Sequence, residues 1–255
     1  MTDNYLIDDE VLLDDLRRLA DQLGHPPAIC DVKKYGEHSF MTYYDHFSTY
    51  ETAVVKAGLI PHNWHPLTPR QIHQFNRAAL DQDPREAMTA LFYQFLPVPH
   101  RVYTEFEEEW LTTIADKTVI RLPDQYGPDS TIWELKIPTT WRNPYTGQEE
   151  STQLPKLLDW YLTTHNTTPL NSKVSVIDFF HSLFDKIEFS EMRSINNEVG
   201  HKMISRVQSS DLHHTHGIHL ARNGAPREWI ARRMGFDRTD KAEVYFEFPK
   251  HHDQF

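Results

Sequence analysis

Residues 209–248 read SSDLHHTHGIHLARNGAPREWIARRMGFDRTDKAEVYFEF, and their punctuation decides how the rest of the chain is read. Asp211 to Asn223 has helical periodicity and stops at Gly224; Pro226 to Met234 opens on a proline and stops at Gly235. A charged turn then leads to AEVYFEF, in which Tyr245 alternates with Val244, Phe246 and Phe248. The surrounding stretch, 200–252, also holds a concentration of positive charge: Lys202, Arg206, Arg222, Arg227, Arg232, Arg233, Arg238, Lys241 and Lys250.

Outward from this frame, residues 118–138 (TVIRLPDQYGPDSTIWELKIP) read as two short strands around a Tyr-Gly-Pro-Asp turn. Thr68-Pro69 and Asp83-Pro84 each combine an N-cap with a proline at the first helical position. Residues 153–165, 174–187 and 191–206 read as helices, and the glutamates Glu105, Glu107, Glu108 and Glu109 as a solvated helix face. Further back, 5–24 is amphipathic, with Leu12, Leu16, Leu19 and Leu23 on one stripe and Gly24 as stop. Asp31, Ser39 and Ser48 are the expected caps of three short helices, ended by Gly36, the Phe47 region and Gly58. The proline-rich stretch from His62 to Pro69 is the expected joint between a helical domain, 1–61, and a larger domain, 68–255. The expected fold class is mainly α with a small antiparallel β-hairpin.

Composition bounds the function. At 39% hydrophobic and 25% charged, the 255-residue chain is globular. No apolar run approaches the ~18 residues of a membrane span, and the acidic start lacks the basic region of a signal peptide. Cys30 is the lone cysteine, so no intramolecular disulfide is expected. These features predict a soluble, cytoplasmic protein without a membrane partner. A net charge of −11 opposes simple nucleic-acid binding, which displaces counterions with Lys and Arg. Yet a face can be basic on an acidic molecule, and the acidic residues concentrate in 1–60 and 105–109.

Residues 209–248 resemble the catalytic domain of the tyrosine recombinases (phage integrases). That family shows His-x-Leu-Arg-His-Thr, a glycine-punctuated turn, a helix ending Leu-Gly-His, and then a tyrosine. Leu212, His214-Thr215, His219-Leu220, Gly224, Ile230, Gly235 and Tyr245 fit the pattern. Residues 12–61 (LLDDLRRLADQLGHPPAICDVKKYGEHSFMTYYDHFSTYETAVVKAGLIP) resemble the homing-endonuclease-associated repeat, a small module of nucleases and DNA-binding proteins. The resemblance implies that this unit stands in for the family's usual helical core-binding domain, as second jaw of a clamp.

In that family a tyrosine hydroxyl attacks a DNA phosphodiester and forms a 3′-phosphotyrosine link. A phenol with pKa near ~10 needs concentrated positive charge for this. Two arginines grip the non-bridging oxygens, a hairpin lysine protonates the leaving oxygen, and two histidines complete the pocket. Carried over, Tyr245 holds the nucleophile position, but the first histidine falls on Ser210, the second arginine on His213 and the last histidine on Phe236. The first arginine falls on Pro97 or Pro99, with Arg101 as the nearby substitute; the lysine is Lys136 or Lys117. The resemblance therefore implies a duplex-DNA-binding protein with a degenerate active site, a repressor or accessory factor of a mobile element. Its alternatives are a working integrase, in which His213 and Arg101 replace the arginines for DNA recombination, and a protein-interaction module. Arg206, Arg222, Arg227, Arg232, Arg233, Arg238 and Lys241 are the DNA-contact candidates, with a homo-oligomer on DNA as the further partner. Tyr245 as a packed aromatic, and Arg232, Arg233 and Arg238 as a solvated helix face, remain open. His213, His216 and His219 share a helical spacing, but no cysteine or HExxH pattern joins them, so no metal and no cofactor is expected.

Overall fold

The computed structural model describes residues 7–127, 132–164, 173–187, 193–196, 202–205 and 209–249. The chain falls into two compact units: Met1–Trp64 with Met192–Arg206 and Arg238–Phe255, and His65–Glu191 with Val207–Asp237. The tyrosine-bearing end of the 209–248 frame thus groups with the N-terminal helices. Within the proline-rich joint, the change of unit falls between Trp64 and His65.

The first unit begins with α1 (Asp9–Leu23), α2 (Ile29–Tyr35), α3 (Phe40–Phe47) and α4 (Tyr50–Lys56). Asp8 caps α1 by accepting from the Glu10 amide at 3.0 Å, and Gly24 ends it at φ 71°. Leu12, Leu16 and Leu19 bury against Val32, Tyr43 and Val54. Asp15 lies inside this core, where its carboxylate accepts from the Tyr43 hydroxyl at 2.8 Å, the Glu37 amide at 3.1 Å and the Arg18 guanidinium. Three donors offset the cost of burying that charge.

Two caps differ from the sequence expectation. Asp31 sits within α2 and accepts from the Ala28 amide at 2.8 Å, so Ala28 holds the cap position. Thr49, rather than Ser48, caps α4, accepting from the Thr52 amide at 3.0 Å. A capping residue needs extended backbone, whereas Ser48 takes φ 64° at the end of α3. The expected helix over 191–206 is instead an antiparallel hairpin, β6 (Arg193–Asn196) with β7 (Lys202–Ser205), pairing Ile195 with Met203. Asn196, at the end of β6, disfavours a continuous helix. AEVYFEF, read as alternating, forms one helical turn, α12 (Glu243–Phe246), whose Glu243 pairs with Lys56 at 2.7 Å.

The second unit is built around α6 (Pro84–Phe95), which is buried without interruption from Ala87 to Phe95. A helix apolar on all sides belongs in the middle of a core. Around it pack α5 (Pro69–Leu80), α7 (His100–Thr104), α8 (Leu154–Thr164), α9 (Lys173–Lys186), α10 (Ser209–Arg222) and α11 (Arg227–Arg233). The Thr68 and Asp83 caps form as the sequence predicts, and Thr68 in addition makes a capping box with Gln71.

The expected hairpin over 118–138 has a third strand: β1 (Leu111–Ile114), β2 (Lys117–Leu122) and β3 (Trp133–Lys136) are antiparallel in that order. Ala115 and Asp116, at φ 48° and 60°, make the tight β1–β2 turn. An Ala-Asp pair carries little of the Asn-Gly signal such turns usually show. A separate hairpin joins β4 (Thr140–Arg142) to β5 (Glu149–Ser151). The glutamates do not form a continuous helix face. α7 ends at Thr104, and Glu108–Trp110 is a 3-10 turn that buries Trp110. Among the described residues, no helix is long and apolar enough to cross a membrane.

Within the unit, α10 holds the incoming chain. The His65 amide donates to Asp211 at 2.8 Å, and the Leu67 amide donates to the Thr215 hydroxyl at 2.8 Å. Gly235 ends α11 at φ 69°, and a Cβ there would lie 2.5 Å from Trp133 Cη2. Gly235→Ala therefore combines a left-handed backbone with overpacking, an expected loss of about 2–4 kcal/mol in urea unfolding. Gly224→Ala, at φ 78° with open space around it, should cost only about 1 kcal/mol. Equal midpoints for the two variants would contradict the close approach of Trp133.

Candidate functional site: a cationic cleft and the recombinase positions

The end of α11 carries two adjacent arginines with different fates. Arg232 is exposed, whereas Arg233 is 7% exposed and turns inward. Its guanidinium donates to the Phe95 carbonyl at 2.6 Å and the Lys136 carbonyl at 2.8 Å, tying α11 to the end of α6 and to β3. Burial pushes its pKa down to about 10, so it stays charged at neutral pH. Trp133 adds a second tie, its indole donating to the Arg232 carbonyl at 3.0 Å.

Arg233 lines a cleft of about 730 Å³ in the second unit, with Gln94 and His216 beside it on α6 and α10. Lys117, Lys136 and Arg142 add positive charge to the lining, and Asp116 is its acid. Pairing of Val119 with Lys136 puts Lys117 and Lys136 on one face of the sheet as diagonal neighbours. Both lysines are exposed. The apolar part of the wall includes Phe95, Trp141 and Trp229.

Of the sequence candidates for chemistry, Lys136 and its alternative Lys117 are the ones that line this cleft; His213, Arg101 and Tyr245 do not. His213 stacks on Tyr93 with ring centroids 6.0 Å apart, and its Nε2 lies 3.3 Å from the Tyr103 hydroxyl. That hydroxyl donates to the Leu96 carbonyl, which leaves its oxygen to accept from His213. Burial first, then the His214 charge, holds the His213 pKa down at about 3. The ring is thus neutral at pH 7 and carries none of the charge of an arginine. Arg101 donates to the Gln125 carbonyl and lies over the Tyr126 ring, 4.8 Å from its centroid. Tyr245 is 2% exposed, packed in the first unit with its ring 6.1 Å from that of Trp64, and burial raises its hydroxyl pKa. Ser210 is exposed and Phe236 half-buried.

The DNA-contact candidates also divide. Arg222 and Arg227 are half-exposed in the second unit, and Arg232 is exposed. Arg233 is buried, which corrects its reading as a surface residue: one side of α11 faces the core, and position 233 lies three residues from buried Ile230. Arg238 pairs with Asp240, and Lys241 is half-exposed, both in the first unit. Arg206 lies outside the described residues. Gln94 and His216 were not anticipated as cleft residues; the signal for Gln94 was a polar side chain inside the apolar run of α6.

The architecture has clear relatives among solved structures. XerA recombinase superposes with a TM-score of 0.54 at 12% identity, over 99% of this chain and 90% of that one. The fold is that of the tyrosine recombinases. XerH site-specific recombinase gives 0.55 in its post-cleavage complex with palindromic difH substrate, at 9% identity over 97% of this chain and 70% of that one. Its pre-cleavage complex with difH gives 0.53 at 10% identity, over 96% and 69%. Residues 7–60 match the homing endonuclease associated repeat. No curated protein matches the sequence.

Three half-buried histidines of α10, packed within the unit, make stability depend on pH. Burial lowers His213 to about 3 and His214 to about 4, and drives His216 down as well. Unfolded histidine titrates near ~6.5, so below that pH the unfolded state binds more protons than the folded one. Their contribution is complete above pH ~6.5 and is lost as pH falls toward the folded values, by up to about 1.4 kcal/mol per pH unit for each ring. Urea midpoints should drop from pH 7 to pH 5, and His213→Gln should flatten that slope by about one ring's share. An unchanged slope in the variant would contradict a neutral His213 ring held against Tyr93.

Proposed function

We propose that this protein binds duplex DNA in the cytoplasm and does not cleave it, acting as a regulator or accessory factor of a mobile element. The observation that carries the reading is a recombinase fold combined with Tyr245 buried against Trp64. The attack needs an accessible phenol and an arginine fork on the phosphate oxygens. At the aligned positions this chain offers a neutral His213 and a proline. Binding draws on Arg222, Arg227 and Arg232, and on the N-terminal repeat as a second DNA-contacting unit. XerH, a structural relative, is seen bound to its difH substrate.

A duplex-binding assay across salt concentrations tests the first half. Affinity should fall steeply with salt. In Arg227→Ala/Arg232→Ala the log–log slope should shrink by about 0.9 for each arginine that holds a phosphate. A nicked suicide duplex tests the second half, and no covalent adduct should accumulate. A covalent band that disappears in Tyr245→Phe would establish an active recombinase. Failure to bind any duplex at low salt would favour an interaction module, as the net charge of −11 does.

A further inference from the structure

The cleft beneath Arg233 is more than a gap beside a structural arginine. Three polar atoms in its lining side chains are buried and have no hydrogen-bond partner among the described residues: Gln94 Oε1, His216 Nε2 and Arg233 Nε. Gln94 is 2% exposed and Arg233 7%. An unsatisfied buried polar atom costs about 1–3 kcal/mol, and folded proteins leave few of them. Three in residues that line one cavity single out its wall as a candidate ligand site.

The rest of the wall states what that ligand must be. Lys117 and Lys136 have no side-chain partner among the described residues and face the cleft from one side of the sheet. With Arg142 and Arg233 they make four cations against one acid, Asp116. That balance favours an anion. Trp141 and Trp229 also line the cleft, and Trp229 is 47% exposed. An open indole face favours a planar aromatic group. The volume of about 730 Å³ lies within the ~300–1,000 Å³ of sites that enclose small molecules.

We infer that the cleft binds a nucleoside phosphate, with the base against the tryptophans and the phosphate on Lys117 and Lys136. A free mononucleotide and a single nucleotide of a nucleic-acid strand share this chemistry. The surface arginines and Lys241 assigned to duplex binding take no part in the site, whereas Lys117 and Lys136 are the two candidates for the recombinase hairpin lysine.

AMP titrated into the full-length protein, followed by tryptophan fluorescence and calorimetry, tests it. Saturable binding is expected, with adenosine and inorganic phosphate each at least about tenfold weaker. Lys117→Ala/Lys136→Ala removes exposed side chains, so the fold should persist by circular dichroism, while AMP affinity should fall at least about tenfold. Trp229→Ala should weaken adenosine and AMP alike. Competition by d(A)4 would identify a strand as the source of the nucleotide, and its absence a free nucleotide; the site stands in both cases. No saturable AMP binding, binding of d(A)4 without AMP, or an affinity unchanged in the lysine double variant would each overturn the proposal.

Discussion

The second unit depends on one buried cation. Arg233 reaches from the end of α11 to the carbonyls of Phe95 and Lys136, where α6 and β3 finish. Both carbonyls lie at element ends, beyond the reach of their own helix or ladder, and a guanidinium with five donors in a plane can serve both. The arrangement stabilises because charge-assisted bonds offset desolvation; removing the arginine would leave two carbonyls to satisfy. Gly235 follows at once in a left-handed turn against Trp133, so the same short stretch fixes helix, sheet and turn together.

On α10, His213 is held in a stack with Tyr93 and a hydrogen bond with Tyr103. Tyr93 and Tyr103 themselves stack at 3.9 Å. Positive charge from the end of α11 and from the strands lines a cleft that has both cations and tryptophans.

Much of the fold was legible in residues with local physics. Prolines after Thr68 and Asp83 announced helix starts, and Gly24, Gly58, Gly224 and Gly235 announced stops with positive φ. What escaped was decided by tertiary context. The β1–β2 turn uses Ala115-Asp116 in place of a glycine pair, so its strand β1 left no mark. The β4–β5 hairpin depends on Asn143, buried and accepting from the Tyr145 amide at 2.9 Å, an Asx turn that composition alone does not separate from a loop. At the site, Arg232 and Arg233 are indistinguishable on paper, since only the packing of α11 turns one outward and one inward. Tyr245 was legible as a position, yet its neighbour Trp64 lies far away in sequence, and no local pattern reports that burial.

The proposed function rests on a recombinase fold in which Tyr245 is buried against Trp64. The most direct test is a crystal structure of the full-length protein bound to a duplex. It should show Tyr245 still packed on Trp64, away from every phosphorus, and Arg233 still on the carbonyls of Phe95 and Lys136. A Tyr245 hydroxyl drawn out to within about 3–3.5 Å of a phosphorus, in line for attack, would contradict it.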